Sequence, residues 1–360
     1  MDVETFDFEL PGDLIAQHPA AERTGARLLH LPRDPRDPLV HGTVRDLVDL
    51  LRPGDLLVAN DTRVFPARLL GHRVPSGGAV ECLLVGRDSA HESVPTDQYW
   101  DALVHPGQKL KPGARVRFAA GEMTLECEIL DRLFHGRRRI RIWTEDGRAV
   151  EDVVDAIGHI PLPPYIKRDD QPDDRERYQT VFASYRGSVA APTAGLHLSG
   201  DLLAALAARQ IEVVTVTLHV GYGTFQPVRV LRVEDHRVEA ERYAVTPSAA
   251  DAINRALEER RRVIAVGTTT TRVLEFVARE HGRVIAGQGS ADLFIHPGYP
   301  FRVISGLLTN FHLPRSSLLM LVAAFGGVER VMSAYREAVS RGYRFYSYGD
   351  AMLILSLIHI

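Results

Sequence analysis

Two histidines stand beside predicted backbone bends in the segment Gly187–Phe225. His197 follows a loop of small residues and proline and precedes Ser199, which suits the N-cap of a helix. His219 lies near the end of a β-branched run that predicts a strand buried on both faces. Imidazole exchanges protons near neutral pH, and in open α/β sheets ligands bind beyond the carboxyl ends of the strands. We therefore interpret this segment as the floor of an active site.

Three further polar loops follow apolar runs that predict buried strands. They are Asn60–Arg63, Gly267–Thr271 and Asn310–Arg315. If the strands lie parallel, these loops converge with His219 on one rim of the sheet. The glycine and hydroxyls of Gly267–Thr271, at the start of a predicted helix, suit an anion site. Threonine also caps helices without binding a ligand, so both interpretations remain open.

Short catalytic signatures do not identify a reaction. The chain has no GxSxG, GxGxxG, Walker or HExxH motif. Taken alone, His197 is better interpreted as a capping or core histidine. Its combination with His219, Tyr222, Asn310 and His312 favours a site, but composition and spacing leave the reaction type open.

The elements that must position these residues predict an α/β fold. Helices and strands alternate in residues 1–63 and 150–354, which predicts a three-layer α/β/α sandwich core. Residues 64–149 instead contain short alternating runs with frequent turn signals, typical of an inserted small barrel or sandwich. A cleft between such a sheet and an inserted domain is a common binding site. The apolar end, residues 355–360, lacks a turn or cap and is expected to be a non-native or disordered tail.

Composition limits the partners and the compartment. A net charge of −3 argues against wholesale coating of nucleic acid or of an anionic membrane. The densest basic cluster, Arg137–Arg139 with Arg141, is better interpreted as a solvated strand face than as a nucleic-acid contact. The two cysteines, Cys82 and Cys127, form no CxxC motif, so we expect no zinc site or disulfide and a reducing cytoplasm. The N-terminus lacks a signal-peptide pattern, and Ser317–Phe325 is shorter than the roughly 20 residues of a membrane helix.

Several long and distinctive stretches occur in order along the chain up to about Leu353. They are NDTRVFPARL (Asn60–Leu69), HIPLPPYIKR (His159–Arg168), YQTVFA (Tyr178–Ala183), GSVAAPTAGLHL (Gly187–Leu198), VTLHVGYGTFQPV (Val216–Val228), AVGTTTTRVLE (Ala265–Glu275), LLTNFHLPRSSLLMLVAAFGG (Leu307–Gly327) and YRFYSYGDAML (Tyr343–Leu353). Together they resemble the S-adenosylmethionine:tRNA ribosyltransferase-isomerase family of queuosine biosynthesis. Long colinear matches are far more specific than any single short motif.

The resemblance implies a β-barrel domain joined to an α/β/α sandwich, in agreement with the fold predicted above. It also implies transfer and isomerisation of the ribosyl part of S-adenosylmethionine onto 7-aminomethyl-7-deazaguanine at the tRNA wobble position. Epoxyqueuosine-tRNA, adenine and methionine are the implied products. S-adenosylmethionine is then a consumed substrate, and no cofactor or metal is expected. The implied tRNAs carry a GUN anticodon, and we expect a cytoplasmic monomer.

The implied chemistry gives individual residues expected roles. The sulfonium acidifies the ribose C5′ protons, so a base must remove one, and His219 is preferred over His197 because it lies at a strand end. Departing adenine needs a proton donor or hydrogen bonds, for which Asp235, His236 and His312 are the candidates. The expected substrate-binding residues are Thr193, Gly221, Tyr222, Thr268, Thr269 and Asn310, and the expected tRNA contacts are Arg63, Lys167, Arg168 and Arg315.

The chain departs from the family pattern at three places. Thr270 stands where the family usually has the serine of its GTTS loop, and it keeps the hydroxyl. Where many members have His-x-Met-His-x-Glu, this chain has HRVEAE from His236 to Glu241, so the second histidine is absent. Ser305 occupies a position that is commonly acidic. Three alternatives stay open: a paralogue that acts on a free deazapurine, a non-catalytic tRNA-binding protein, and, least favoured, a methyltransferase.

Overall fold

A computed structural model of the protein describes residues 1–32, 34, 36–88, 91, 93–221, 223 and 228–355. Tyr222, one of the expected substrate contacts, and residues 356–360 of the expected tail lie outside the described residues. Leu355, the first residue of that expected tail, is instead the last residue of a strand and pairs with Gly306. The described chain forms a nine-stranded mixed sheet flanked by helices, a closed six-stranded barrel and a small two-stranded sheet.

Strands and helices are numbered in chain order. The strands are β1 (Arg27–Leu31), β2 (Val40–Thr43), β3 (Leu56–Asn60), β4 (Thr62–Val64), β5 (Arg68–Val74), β6 (Ala79–Arg87), β7 (Asp97–His105), β8 (Arg115–Ala120), β9 (Met123–Arg132), β10 (Arg137–Trp143), β11 (Tyr185–Ser188), β12 (Glu212–Leu218), β13 (Glu241–Val245), β14 (Val263–Val266), β15 (Gly287–Ala291), β16 (Gly306–Asn310) and β17 (Ala351–Leu355). The helices are α1 (Leu47–Leu50), α2 (Val150–Ile157), α3 (Asp174–Arg177), α4 (Gly200–Ala208), α5 (Pro247–Glu258), α6 (Thr268–His281), α7 (Ser317–Gly326) and α8 (Val328–Ser340).

Four parallel strands form the centre of the large sheet. Its order is β15-β13-β12-β3-β14-β16-β17-β1-β2, and β12, β3, β14 and β16 run in the same direction. Their register pairs Val216 with Asn60 and Val266 with Leu308, so the four strands end at one edge. The predicted convergence of the polar loops that follow these strands is therefore confirmed.

Helices cover both faces of this sheet, which confirms the predicted three-layer α/β/α core. Leu56 and Val58 of β3 face the layer that contains α5, α6, α7 and α8. Leu57 and Ala59 face the opposite layer, which contains α1 and α4. Alternate residues of one strand are thus buried on opposite sides, as expected for a central parallel strand with helices on both faces.

The inserted strands close into an antiparallel barrel in the order β10-β7-β6-β5-β8-β9, so of the two architectures predicted for the insertion the barrel is the one observed. Its strands run from Arg68 to Trp143. The interior is apolar and includes both cysteines, and burial raises the pKa of the Cys82 thiol to about 12. Helix α2 packs Val150 and Val153 against the barrel core.

Local capping explains how the helices begin next to the strand ends. The Ser199 hydroxyl accepts from the Leu202 amide and the Ser316 hydroxyl from the Leu319 amide, both at 3.2 Å. Gly267 has a φ of 94°, which lets the chain turn from β14 directly into α6.

Among the described residues, no single helix is long and apolar enough to cross a membrane, and α7 and α8 pass that test only as a pair bent by 116°.

Candidate active site

His219 follows β12 at the edge of a cleft of about 250 Å³, which we call the His219 cleft. Its Nδ1 lies 2.8 Å from the Thr62 hydroxyl, and no described side chain hydrogen-bonds its Nε2. Burial, and secondly the nearby Arg242, lower the pKa of His219 below its usual value. The imidazole is therefore neutral near pH 7 and able to accept a proton.

A buried ion pair forms one wall of the His219 cleft. Arg272 of α6 donates to Glu241 Oε2 at 2.5 Å, and their side chains are 9% and 6% exposed. Glu241 Oε1 accepts from the backbone amide of Gly221 at 2.9 Å, and Arg272 also donates to the Leu293 carbonyl at 3.2 Å. The pair therefore ties the chain just after His219 to the sheet and to α6.

The barrel lines the opposite side of the His219 cleft. Arg137 of β10 forms an ion pair with Glu239, which precedes β13, and both residues line the cleft. Glu239 stands where the family resemblance leads us to expect a histidine. His236 lines the same cleft with its ring edge-on to Phe294 at 4.9 Å, and burial followed by Arg237 lowers its pKa. The cleft is thus built jointly by the sheet and the barrel.

A second cavity, of about 460 Å³, opens beyond the ends of β14 and β16, and we call it the Asn310 cavity. Val220 and Leu318 line both the cavity and the His219 cleft, so the two spaces adjoin. The expected substrate-binding residues found on its walls are Thr193, Thr268, Thr269 and Asn310. The hydroxyls of the next two threonines, Thr270 and Thr271, donate back to the carbonyls of Val266 and Gly267 and serve the helix.

His312 also lines the Asn310 cavity. It is 8% exposed, its Nε2 lies 2.9 Å from the Thr309 hydroxyl, and burial lowers its pKa to about 3. A histidine of this kind stays neutral near pH 7. It can offer a hydrogen bond to a ligand, but it is a poor proton donor.

His197 lies behind the Asn310 cavity and lines neither the cavity nor the His219 cleft. It is 4% exposed, and its Nε2 accepts a hydrogen bond from Asn310 Nδ2 at 3.1 Å. Burial, followed by Arg344 and Arg23, lowers its pKa to about 4. The structure therefore separates His197 from His219, with which it was grouped as a candidate base, and couples it to a residue of the cavity wall.

Strained backbone marks one end of the Asn310 cavity. Tyr346 and Arg315 line it with φ values of 73° and 55°, in the left-handed region that non-glycine residues seldom adopt. Tyr165 stacks on Tyr346 with ring centroids 3.9 Å apart, and the amide of Tyr346 donates to the Phe311 carbonyl at 3.0 Å. These contacts hold an aromatic wall against the cavity.

The four cations expected to contact tRNA have different surroundings. Arg63 and Lys167 are exposed and make no ion pair with a described residue. Arg168 is held by Asp174 through two hydrogen bonds of 2.6 and 2.9 Å, and Asp174 is 3% exposed. Arg315 pairs with Asp7 at 2.7 Å. The guanidinium of Arg168 is therefore occupied within the protein, whereas Arg63 and Lys167 are available to a partner.

Other expected residues lie outside the two spaces, and some residues of the walls were not expected. Asp235 is exposed, in a short 3-10 helix, and lines neither space. Ser305 bonds to the Val263 backbone between β14 and β16, which is a structural role. Thr62 lies in the predicted loop Asn60–Arg63 but was given no role of its own, and sequence reasoning missed Glu241, Arg272 and Tyr346. Among the described residues, no group of three or more His, Cys, Asp or Glu side chains could hold a metal ion.

Comparison with known proteins identifies the family. A family model described as "Queuosine biosynthesis protein" matches residues 3–354. S-adenosylmethionine:tRNA ribosyltransferase-isomerases of Desulfitobacterium hafniense and Heliobacterium modesticaldum are 47% and 50% identical to this chain, each over 99% of it and 100% of the relative. The crystal structure of S-adenosylmethionine tRNA ribosyltransferase from Thermotoga maritima is 35% identical, with a TM-score of 0.53 over 98% of this chain and 100% of that one. This chain therefore belongs to the S-adenosylmethionine:tRNA ribosyltransferase-isomerase family.

Proposed function

We propose that this protein transfers and isomerises the ribosyl moiety of S-adenosylmethionine onto 7-aminomethyl-7-deazaguanine at the wobble position of tRNA. The products are epoxyqueuosine-tRNA, adenine and methionine. Family membership across residues 3–354 supports the reaction. The structural observation that carries the proposal is the pair of adjoining spaces, which offers one site to each substrate with His219 on the wall of one of them.

S-adenosylmethionine occupies the Asn310 cavity in this proposal. A volume of about 460 Å³ is within the range of small-molecule sites. Thr268 and Thr269 form the first turn of α6, where unpaired backbone N–H groups suit the methionine carboxylate. Thr193, on the facing wall, is positioned for the ribose hydroxyls, and Asn310 for a polar group of the ligand.

The modified nucleobase of tRNA enters the His219 cleft, between the sheet and the barrel. Its aminomethyl group is then close to the boundary formed by Val220 and Leu318, beyond which the ribose lies. His219 is neutral and acts as the base that removes a C5′ proton, which the adjacent sulfonium acidifies. Gly221 keeps the backbone beside this base close to the substrate.

Departing adenine is stabilised by hydrogen bonds more than by a strong acid. His312 lines the cavity, and its pKa of about 3 keeps the ring neutral near pH 7. It can therefore donate a hydrogen bond to adenine without transferring a proton. His236 lines the adjoining His219 cleft instead of this cavity, and its pKa is also lowered, so it is less well placed than His312 to contact the departing adenine. Asp235 would need to approach from the exposed surface.

The tRNA backbone contacts the exposed cations Arg63 and Lys167, which position the anticodon without reading its sequence. We assign a GUN anticodon to the tRNA substrates and a monomeric state to the protein. Because the substrate is tRNA, we assign the reaction to the cytoplasm. No resident cofactor is needed, because S-adenosylmethionine is consumed.

Turnover on three acceptors tests the proposal: tRNA carrying the aminomethyl deazaguanine, the same tRNA with guanine, and the free modified base. We expect adenine and methionine in equal amounts with the first acceptor alone. Equal turnover on the free base would indicate a paralogue of different specificity. S-adenosylhomocysteine without adenine would indicate a methyltransferase, and binding of tRNA without any product would indicate a non-catalytic protein.

A further inference from the structure

The small two-stranded sheet of β4 and β11 lies directly against His219. The strands are parallel, and Tyr185 is in register with Thr62 and Arg186 with Arg63. Thr62 is fully buried, and its hydroxyl lies 2.8 Å from His219 Nδ1. The same hydroxyl donates to the carbonyl of Tyr185 at 3.4 Å. One buried hydroxyl therefore stands between an imidazole nitrogen and a backbone carbonyl.

The direction of both hydrogen bonds is assigned from the Tyr185 carbonyl, because the 2.8 Å contact between Thr62 and Nδ1 fits either direction. The Tyr185 carbonyl can only accept, so a Thr62 hydroxyl that donates to it must itself accept from His219 Nδ1. Nδ1 then carries the proton and Nε2 has a free lone pair. In water the neutral imidazole of histidine prefers the opposite tautomer, with the proton on Nε2. The contact with Thr62 thus favours the form in which Nε2 can act as a base.

Gly187 of β11 packs against the imidazole itself. A Cβ atom at this position would lie 2.8 Å from Nδ1 and from Cε1 of His219, closer than real contacts allow, and the φ of Gly187 is 151°. Only glycine lets the strand approach the ring this closely. The next residue, Ser188, accepts from the Val220 amide at 2.8 Å, so the backbone that follows His219 is held as well.

We propose that Thr62 and Gly187 are positioning residues for the base: Thr62 holds His219 as the Nδ1–H tautomer, and Gly187 lets β11 fix the plane of its ring so that Nε2 serves the reaction. The inference rests on the proposed function of His219. It adds that the β4–β11 sheet determines which ring nitrogen of that histidine is basic.

The tautomer can be measured without any substrate. The protein is labelled with ¹⁵N-histidine and measured at a pH well above the pKa of ordinary histidines. The ¹⁵N chemical shifts of the two ring nitrogens of His219 then distinguish Nδ1–H from Nε2–H. We expect Nδ1–H in the wild type and in Thr62→Ser, which keeps the hydroxyl, and a shift towards Nε2–H in Thr62→Val, which has the same shape without it. An Nε2–H form in the wild type, or an unchanged tautomer in Thr62→Val, overturns the proposal.

Kinetics provide the second readout. We expect Thr62→Val to lower kcat for adenine release at least about tenfold, a part of the 10²–10⁴-fold that general-base catalysis contributes, with the KM for S-adenosylmethionine nearly unchanged. Thr62→Ser should restore most of kcat, and Gly187→Ala should lower it. The matched control is Thr180→Val, because Thr180 is also buried but its hydroxyl has no hydrogen-bond partner among the described residues. This control should turn over like the wild type.

The outcomes separate this inference from the proposed function. If the wild type releases no adenine, the proposed function fails, whatever the tautomer. If the wild type is active but Thr62→Val matches it in kcat, or if Thr62→Ser is as impaired as Thr62→Val, the positioning role fails and the reaction stands.

Discussion

Asn310 Nδ2 donates to His197 Nε2 at 3.1 Å and to the Tyr346 carbonyl at 2.9 Å, so a cavity-lining amide is held from behind by a buried histidine. Turning the amide over would place its oxygen against the Tyr346 carbonyl. The orientation of Asn310 is therefore fixed, and His197 contributes to the cavity by supporting its wall. This relationship distinguishes the roles of the two histidines that the sequence places 22 residues apart.

Replacing His197 should impair substrate binding and stability more than chemistry. In His197→Ala the Asn310 amide loses a buried acceptor, and we expect a loss of about 1–3 kcal/mol of unfolding free energy, measured with urea. The KM for S-adenosylmethionine should rise while kcat for adenine release falls only modestly. Complete loss of kcat in a variant that folds and binds S-adenosylmethionine normally would instead make His197 a participant in the chemistry.

Folding stability should fall as the pH drops below the ordinary histidine range. Burial lowers the pKa of His197 to about 4 and that of His312 to about 3, whereas in the unfolded chain both titrate near 6.5. At a pH between the folded and unfolded pKa values, the unfolded state binds more protons than the folded state. Lowering the pH in this range therefore favours unfolding. The contribution of the neutral histidines to stability is complete only above the unfolded pKa. The expected loss is about 1.4 kcal/mol per pH unit for each histidine.

Urea unfolding at about pH 7.5 and about pH 5.5 measures this effect, and the same comparison in His312→Gln provides the control. The variant should show a smaller difference between the two pH values, because one of the buried histidines with a lowered pKa is gone. An equally large difference in the variant would show that another group is responsible.

The Glu241–Arg272 pair should tolerate removal of both charges better than removal of one. Glu241→Gln leaves a buried guanidinium without its counter-ion, and breaking such a pair costs about 3–5 kcal/mol. Arg272→Met should be similarly harmful, and the double variant should recover part of the loss. A double-mutant cycle on unfolding free energies measures the coupling, and strictly additive losses would argue against it.

Salt dependence should separate the exposed cations from the occupied one. Arg63→Ala and Lys167→Ala should each weaken tRNA binding and reduce the slope of log K against log salt by about one. Arg168→Ala should leave the slope near the wild-type value and lower the melting temperature, because it removes the partner of the buried Asp174. A reduced slope in Arg168→Ala would show that this guanidinium also reaches a phosphate.

Features that depend on local pattern could be predicted from the sequence. Apolar runs that end in polar loops indicated the parallel strands β3, β12, β14 and β16 and the edge at which they end, and Ser199 indicated a helix start. Strand β5, inside the predicted insertion, is hard to recognise from sequence because RLLGHRV mixes charged residues with glycine and does not alternate clearly.

Contacts between distant parts of the chain could not be predicted in this way. Thr62 and His219 are 157 residues apart and Glu241 and Arg272 are 31 apart, and no periodicity connects either pair. His197 shows the reverse case. Its closeness in sequence to His219 grouped them, yet the 3-10 helix Thr193–His197 directs it behind the cavity. The ion pair between Arg168 and Asp174 depends on how that segment folds, so the sequence does not reveal it. Arg168 was therefore expected to be available to a partner.

Adenine release by His219→Gln, in a single turnover with tRNA carrying the aminomethyl deazaguanine, tests the central claim most directly. The variant should keep its melting temperature and its affinity for S-adenosylmethionine. We predict that its rate falls by about 10²–10⁴-fold, the contribution of a general base. A rate close to that of the wild type would contradict the assignment of His219 as the base.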